Sequence, residues 1–356
     1  MSQHLIRLTC NFPYMPLLRQ TPGSAGVWGK YRFVPDAVAD EGPYDAWVVY
    51  NNLPGREVQY ALCPRGRTIL MIGEPPSRGA VHPGFASQFG TVVTCHPGMN
   101  GARIRKVQQA LPWWVGLRRT GKLQFDTAMG YDGLAGMTSV PKTKDLSIIC
   151  SDLAITPGHR RRVRFVSELI RHFGDRMDVF GQGRRPVEDK WDAIAPYKYH
   201  VVLENSSIDD YWTEKLADAF LGAALPIYWG CRNIERYFSR GALIPIDIAR
   251  PADVIRKIER VLSEDPYQEM QKDIWRAREK VLDEFNLFPM IARFVDALPQ
   301  GEAEPVHLHP ASDFPLTPPM RLRHGVSLVR ELVVRSWTRA RGQGGSPGRP
   351  RDTKVW

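Results

Sequence analysis

Six side chains able to do polar chemistry, Glu204, Asn205, Tyr211, Thr213, Glu214 and Lys215, fall close together in the stretch YKYHVVLENSSIDDYWTEKLADAFLGAALPIYWGC, Tyr197 to Cys231. Two carboxylates, an amide, a phenol, a hydroxyl and an ammonium at this density can orient a polar, negatively charged small molecule. The lysine is the informative member. It falls in the first turn of a predicted helix, where unpaired N–H groups and roughly half a positive charge make a cation unfavourable unless an anion is close. A diphosphate is an anion that such a helix start holds well. Glu214 and Lys215 also fit a solvated first turn, and that reading stays open here. A second candidate, Glu74, ends the run TILMIGEPPS; a third, Arg162, lies in HRRRVRFVSELIRHF.

The elements that must position these groups follow from periodicity. Tyr199 to Glu204 is short, apolar and β-branched, as a buried strand should be. Leu216, Ala219, Phe220 and Ala223 recur at helical spacing until Pro226, and Pro226 to Gly230 reads as the next strand. Strand, polar loop, helix and strand form a βαβ unit whose ligand site lies beyond the strand ends, at the helix N-terminus. Upstream, Asp145 to Cys150 and Met177 to Gly181 read as further strands, with Phe165, Leu169 and Phe173 marking a helix between them. The GQGRRP turn lacks the G-x-x-x-x-G-K-[ST] spacing of an NTPase loop. Downstream, Leu243 to Ile248 is a strand, Pro251 opens a helix with Val254, Ile255, Ile258, Val261 and Leu262 on one face, and Pro266 opens another. Leu5 to Thr9, Ala46 to Tyr50, Thr68 to Gly73 and Thr91 to Thr94 give the first half an open α/β sheet. Glu74 then stands at a strand end, where such sheets bind ligands, although a lone Glu before Pro-Pro also fits a loop carboxylate.

YKYHVVLEN, YWTEKLADAF and PIYWG together resemble the signature of glycosyltransferase family 10, the α1,3/α1,4-fucosyltransferases: a YKF-like strand, an EN pair, a Y-x-T-E-K helix start and a P-[IV]-[YV]-x-G strand. The densest likeness covers about 35 residues, and weaker likeness runs from Thr68 to Asp247. The resemblance implies an α/β GT-B fold, two Rossmann-like domains facing a cleft, of the bacterial soluble type. It also implies inverting transfer of L-fucose from GDP-β-L-fucose to a glycan hydroxyl, giving an α1,3 or α1,4 linkage. By the same resemblance Glu74 is the general base and Arg162 contacts the donor diphosphate. Glu204, Asn205, Tyr211, Thr213, Glu214 and Lys215 line the donor cleft. The family's F-D motif after the next strand is replaced here by TCHPGM. Asp209 and Asp210 are adjacent carboxylates that could hold Mg²⁺ or Mn²⁺ on a diphosphate, but the alternating spacing of metal-dependent transferases is missing. No cofactor beyond the donor is expected to be required. Two alternatives remain: a GT-B transferase using another nucleotide sugar, and a non-catalytic glycan-binding or membrane-associated scaffold.

The expected organisation is an acceptor-side domain over 1–140, a nucleotide-sugar domain over 141–300, a Pro-rich linker over 301–319, and a basic amphipathic helix with a disordered tail over 320–356. Trp113 and Trp114, in the connection between the domains, could stack on a sugar or serve as core aromatics. Net charge is +10, but nine Lys/Arg against Glu331 and Asp352 sit in 320–356, so the rest of the chain is nearly balanced. Leu322, Val326, Val329, Val333 and Trp337 share one stripe among arginines, the pattern of a helix that lies on an anionic membrane surface through 320–341. A packing or oligomer helix is the other reading, and nucleic acid is not expected because aromatic interleaving is absent. Five scattered cysteines without a C-x-x-C pair fit a reducing compartment. No stretch has the ~18 to 20 apolar residues of a membrane helix. A cytoplasmic protein, peripheral on the inner face of the membrane, is the expectation.

Overall fold

The computed structural model describes residues 3–10, 15–110, 112–121, 123–150, 157–181 and 183–315. In the first half, short aliphatic runs become parallel strands. β1 (His4–Cys10), β2 (Val27–Trp28), β3 (Tyr31–Pro35) and β4 (Ala46–Tyr50) are followed by β5 (Gln59–Cys63), β6 (Thr68–Met71), β7 (Thr91–Thr94) and β8 (Ile104–Lys106), with the short helix α1 (Pro83–Ala86) before β7. All but β5 join one sheet in the order β2-β3-β1-β4-β6-β7-β8. Pairing is parallel except between β2 and β3. β4 and β6 are buried along their whole length, as strands covered on both faces must be.

A connecting segment holds the antiparallel ribbon β9 (Leu117–Arg119) and β10 (Phe125–Thr127), then the helix α2 (Tyr131–Ala135). The second sheet is wholly parallel. It contains β11 (Lys144–Ile149), β12 (Asp178–Phe180), β13 (Tyr197–Leu203), β14 (Leu225–Trp229) and β15 (Ile244–Pro245), in the order β12-β11-β13-β14-β15. Helices α3 (Pro157–Phe173), α4 (Lys190–Ile194) and α5 (Glu214–Leu221) lie among its crossovers; α6 (Pro251–Glu264), α7 (Tyr267–Asp283) and α8 (Leu287–Asp296) follow. From β11 the chain moves outward to β12 and then returns to lay β13 on the other side of β11. Strand order reverses there, so the C-terminal ends of β11 and β13 open the crevice in which such sheets bind ligands. The chain thus has the two-unit α/β architecture of the GT-B class.

The two units share one apolar core, which runs from Ile6, Leu8 and Tyr50 through Trp113 to Phe220 of α5 and Phe288 of α8. The last helix returns to the first unit: Phe288 meets Phe33 edge-on at 4.8 Å, and Tyr31 Oη donates to Asp296 Oδ1 at 2.7 Å. Asn286, the N-cap of α8, donates to Gln20 O (2.8 Å) and accepts from Gln20 Nε2 (3.1 Å). Gln20 Oε1 in turn takes the Trp113 N–H at 3.0 Å. Such reciprocal, buried bonds satisfy polar groups that would otherwise cost stability.

One expectation is corrected, and of the two readings of Trp113 the core reading holds. The stretch 301–319 is not simply a linker, because β16 (Glu304–Leu308) pairs antiparallel with β5 along five residues. Val306 and Leu308 alternate into the core beside Trp47 and Phe85, and this period of two outweighs the surrounding prolines. Trp113 is fully buried and has no face for a sugar. The basic helix and tail of 320–356 lie outside the described residues. Among the described residues no helix is long and apolar enough to cross a membrane.

Candidate functional site

The EN pair, the Y-x-T-E-K start and the P-I-Y-W-G strand converge on one carboxylate. Glu204 follows β13 directly and is almost fully buried; its N–H donates to Trp229 O at 2.9 Å. Its Oε1 accepts the Thr213 N–H and its Oε2 accepts the Thr213 hydroxyl, both at 2.7 Å. Thr213 is the N-cap of α5, and its Oγ1 accepts the Lys215 N–H at 3.3 Å. Glu204 is therefore a strut between strand end and helix start. Gly230 has to be glycine because a Cβ there would run into the Glu204 side chain and Tyr228 Oη.

Lys215 does not stand bare at the helix start. Its Nζ lies 2.9 Å from Glu214 Oε1, 3.2 Å from Thr213 Oγ1 and 3.8 Å from Glu204 Oε2. Burial works against its charge, but the carboxylates of Glu214 and Glu204 outweigh it and raise the ammonium above its usual range. For Glu214, burial is likewise overcome by Lys215 and Lys190, which hold the carboxyl down at about 2. Burial pushes Glu204 the other way, upward. The helix start alone is thus electrostatically accounted for, and the observation that points to an anion lies elsewhere.

That observation is Arg162. On α3, across the crevice from α5, this guanidinium is 7% exposed. Its Nη1 donates to Asn205 Oδ1 at 2.6 Å, while its buried Nε has no acceptor. Among the described residues no carboxylate pairs with it. A buried, permanently charged group held by one neutral amide and left with an idle donor fits a site built for a planar oxyanion, which the guanidinium fork binds with parallel hydrogen bonds. Arg162 is the smallest of the named influences on Lys215 and opposes the rise, as a nearby cation does.

Glu74 stands beyond β6 in the first unit, its side chain more than half exposed, with Arg78 at 3.5 Å. Its charge reaches the same region. Burial, then Glu204, Glu214 and Glu74, raise the Tyr211 phenol well above its ordinary value; Tyr50 is raised by burial, Glu74 and Glu214. Ser77, three residues after Glu74, lies with its Oγ 2.7 Å from Ser206 Oγ, next to Asn205.

The remaining candidates fall outside this cluster. Asp209 is exposed and pairs with Arg232 at 3.1 Å. Asp210 is buried, with Oδ1 accepting from Asn233, Arg236 and Tyr237 at 3.0, 3.0 and 2.6 Å, so its lone pairs serve the fold. Sequence reasoning missed the buried Lys190–Asp218 pair, 2.9 Å apart beneath the start of α5. The signal was present: Asp218 is a charge between Ala217 and Ala219 on a helix otherwise buried over that turn.

Residues 140–292 match the family model described as glycosyltransferase family 10 (fucosyltransferase) C-term. These residues are a family 10 C-terminal domain. The domain contains Arg162 and every candidate from Glu204 to Lys215, whereas Glu74 precedes it. Among curated relatives, alpha-(1,3)-fucosyltransferase 4 of Mus musculus is 42% identical over 96 residues, 25% of this chain and 22% of that protein. The 4-galactosyl-N-acetylglucosaminide 3-alpha-L-fucosyltransferase FUT6 of Homo sapiens is 31% identical over 121 residues, 32% of this chain and 33% of its own length. The likeness to these curated relatives thus spans about a fifth to a third of their length. A solved alpha1,3-fucosyltransferase aligns with 80% of this chain and 92% of its own, at 15% identity and a TM-score of 0.46.

Proposed function

We propose that the protein transfers L-fucose from GDP-β-L-fucose to a hydroxyl of a glycan acceptor, with inversion, forming an α1,3 or α1,4 linkage. The family 10 domain and the fucosyltransferases among its relatives support fucose as the sugar. The observation that carries the reading is the buried Arg162, bonded among the described residues to Asn205 and left with an idle Nε, across from the helix start of Lys215. In this reading Arg162, Lys215 and the first N–H groups of α5 hold the diphosphate and stabilise charge growing on departing GDP. Tyr211 and Glu214 orient donor hydroxyls, and Glu204, Asn205 and Thr213 keep the cleft in shape. Glu74 takes the proton of the acceptor hydroxyl as that oxygen bonds to the anomeric carbon and the bond to the GDP oxygen breaks.

The first unit would supply the acceptor side and the base, the second the donor side. No metal is needed in this scheme, since the cations that neutralise the diphosphate are side chains; activity in excess chelator tests that directly. The setting we propose is cytoplasmic, with 320–341 resting on an anionic membrane surface, and loss of binding to phosphatidylserine vesicles on deleting 320–356 is the corresponding check.

The decisive experiment titrates GDP-fucose, GDP-mannose and UDP-glucose into the protein and its Lys215→Ala variant, following binding and slow donor hydrolysis. Preference for GDP-fucose, with hydrolysis reduced about a hundredfold in the variant, is the expected result. Preference for another nucleotide sugar would leave a different transferase. Binding without turnover on any glycan, N-acetyllactosamine included, would leave a binding protein.

A further inference from the structure

Beyond Met71 the β6 strand ends, yet each of the next three residues is tied down. The Ile72 N–H donates to Val93 O at 2.9 Å, the Gly73 N–H to Asn51 Oδ1 at 2.7 Å, and Glu74 O accepts from His96 Nε2 at 2.8 Å. Two of the three holders are side chains, one from the end of each flanking strand. Asn51 follows β4 with a left-handed φ of 64°, and its own N–H donates to Met71 O at 2.7 Å. Asparagine tolerates that conformation where branched residues do not.

His96 lies in the CHPG turn after β7, 6% exposed, with its N–H on Thr94 Oγ1 at 3.1 Å. A carbonyl only accepts, so Nε2 carries the hydrogen in this contact. This is the segment in which the chain departs from the family's F-D motif. The backbone around Glu74 is therefore gripped from both sides while its carboxylate stays more than half exposed, with Arg78 at 3.5 Å. A group that must meet a hydroxyl at one fixed place needs that combination, because a displacement of about 1 Å costs on the order of a hundredfold in rate.

We infer that Asn51 and His96 are positioning residues that clamp the backbone around Glu74 and so set its carboxylate for proton transfer. The inference rests on the reading of Glu74 as the general base. The test measures fucose transfer from GDP-fucose to N-acetyllactosamine. His96→Met keeps bulk and removes the donor; His96→Gln returns an N–H near the former Nε2. We expect kcat about 10- to 100-fold lower for His96→Met, with acceptor KM and GDP affinity within twofold of the parent, and recovery to within about fivefold for His96→Gln at the same melting temperature.

Asn51→Ala repeats the test from the other side without touching the buried ring, and Asn51→Asp, which keeps the accepting oxygen, should rescue it. In a Glu74→Gln background His96→Met should add no further loss. Equal kcat in the His96→Met and His96→Gln variants, or a multiplicative loss in the Glu74→Gln background, overturns the clamp while leaving the base in place. Full transfer by Glu74→Gln itself overturns the base reading and the clamp with it.

Discussion

Ser77 Oγ and Ser206 Oγ lie 2.7 Å apart, and this contact joins the loop that carries Glu74 to the loop that carries Glu204 and Asn205. Both hydroxyls are exposed, so the bond adds little to stability, about 0.5–1.5 kcal/mol at most. Its value lies in the spacing of the two loops. Ser77→Ala and Ser206→Ala should each lower kcat/KM for transfer about two- to tenfold with a melting temperature close to the parent's. The double variant should lose no more than either single one. A product of the two losses would show that the hydroxyls act separately.

Arg162 offers a sharper separation of stability from binding. Burying a guanidinium against one amide, with a donor idle, is unfavourable to the empty protein. Arg162→Met should therefore unfold at the same denaturant concentration as the parent or a higher one, while GDP affinity measured by calorimetry falls at least tenfold. Arg162→Lys keeps the charge and loses the fork, and should recover only part of that affinity. Weakened binding together with a clear loss of stability would mean that Arg162 serves the fold.

The contrast between local and distant structure explains what was legible in the sequence. β13, α5 and the Thr213 cap were readable because β-branched runs, helical spacing and a Thr before Glu-Lys act within a few residues. The Arg162–Asn205 bond spans 43 residues and the His96–Glu74 contact 22, and no local pattern encodes them. The same limit produced the linker expectation over 301–319. Its prolines are a local signal, whereas the partner that makes β16 a strand is β5, some 240 residues earlier in the chain. Trp113 was open to two readings because aromatic residues fill cores and sugar sites alike, and only burial separates them.

Asp218 and Lys190 carry most of the risk in the site's foundation. Asp218 accepts the Lys190 ammonium at 2.9 Å and the Trp114 and Val115 N–H groups at 2.9 and 3.0 Å, with no exposure of its side chain. Removing it takes the buried carboxylate from a buried cation and leaves two amides without that acceptor. Asp218→Ala should cost about 3–5 kcal/mol in urea unfolding. Lys190→Met in that background should restore part of the loss, because the buried charge that Asp218 compensated is then gone. If the double variant were less stable than Asp218→Ala alone, Lys190 would have a second essential partner.

His200 should give the protein a stability that depends on pH in a defined window. Its ring is 4% exposed in the middle of β13, with Nδ1 2.8 Å from Ser147 Oγ. Burial first, then the charges of Lys190 and Lys142, bring its pKa down to about 3 from an ordinary value near 6.5. The unfolded chain then binds a proton that the folded chain refuses between these values, so stability is complete above about pH 6.5 and declines as pH falls toward 3. The contribution is on the order of a few kcal/mol, since a tenfold change in proton affinity corresponds to about 1.4 kcal/mol. Glu204, raised by burial, acts in the opposite sense, since its penalty fades as the carboxyl becomes protonated. Urea unfolding from pH 7.5 to 4.5 should show stability falling with acid, and His200→Asn, which keeps a polar atom near Nδ1 but does not titrate, should flatten the curve. An unchanged slope in that variant would show that His200 does not set the acid sensitivity of this window; Glu214 does not act there, since its depressed pKa of about 2 gives a stabilisation lost only below about pH 4.5.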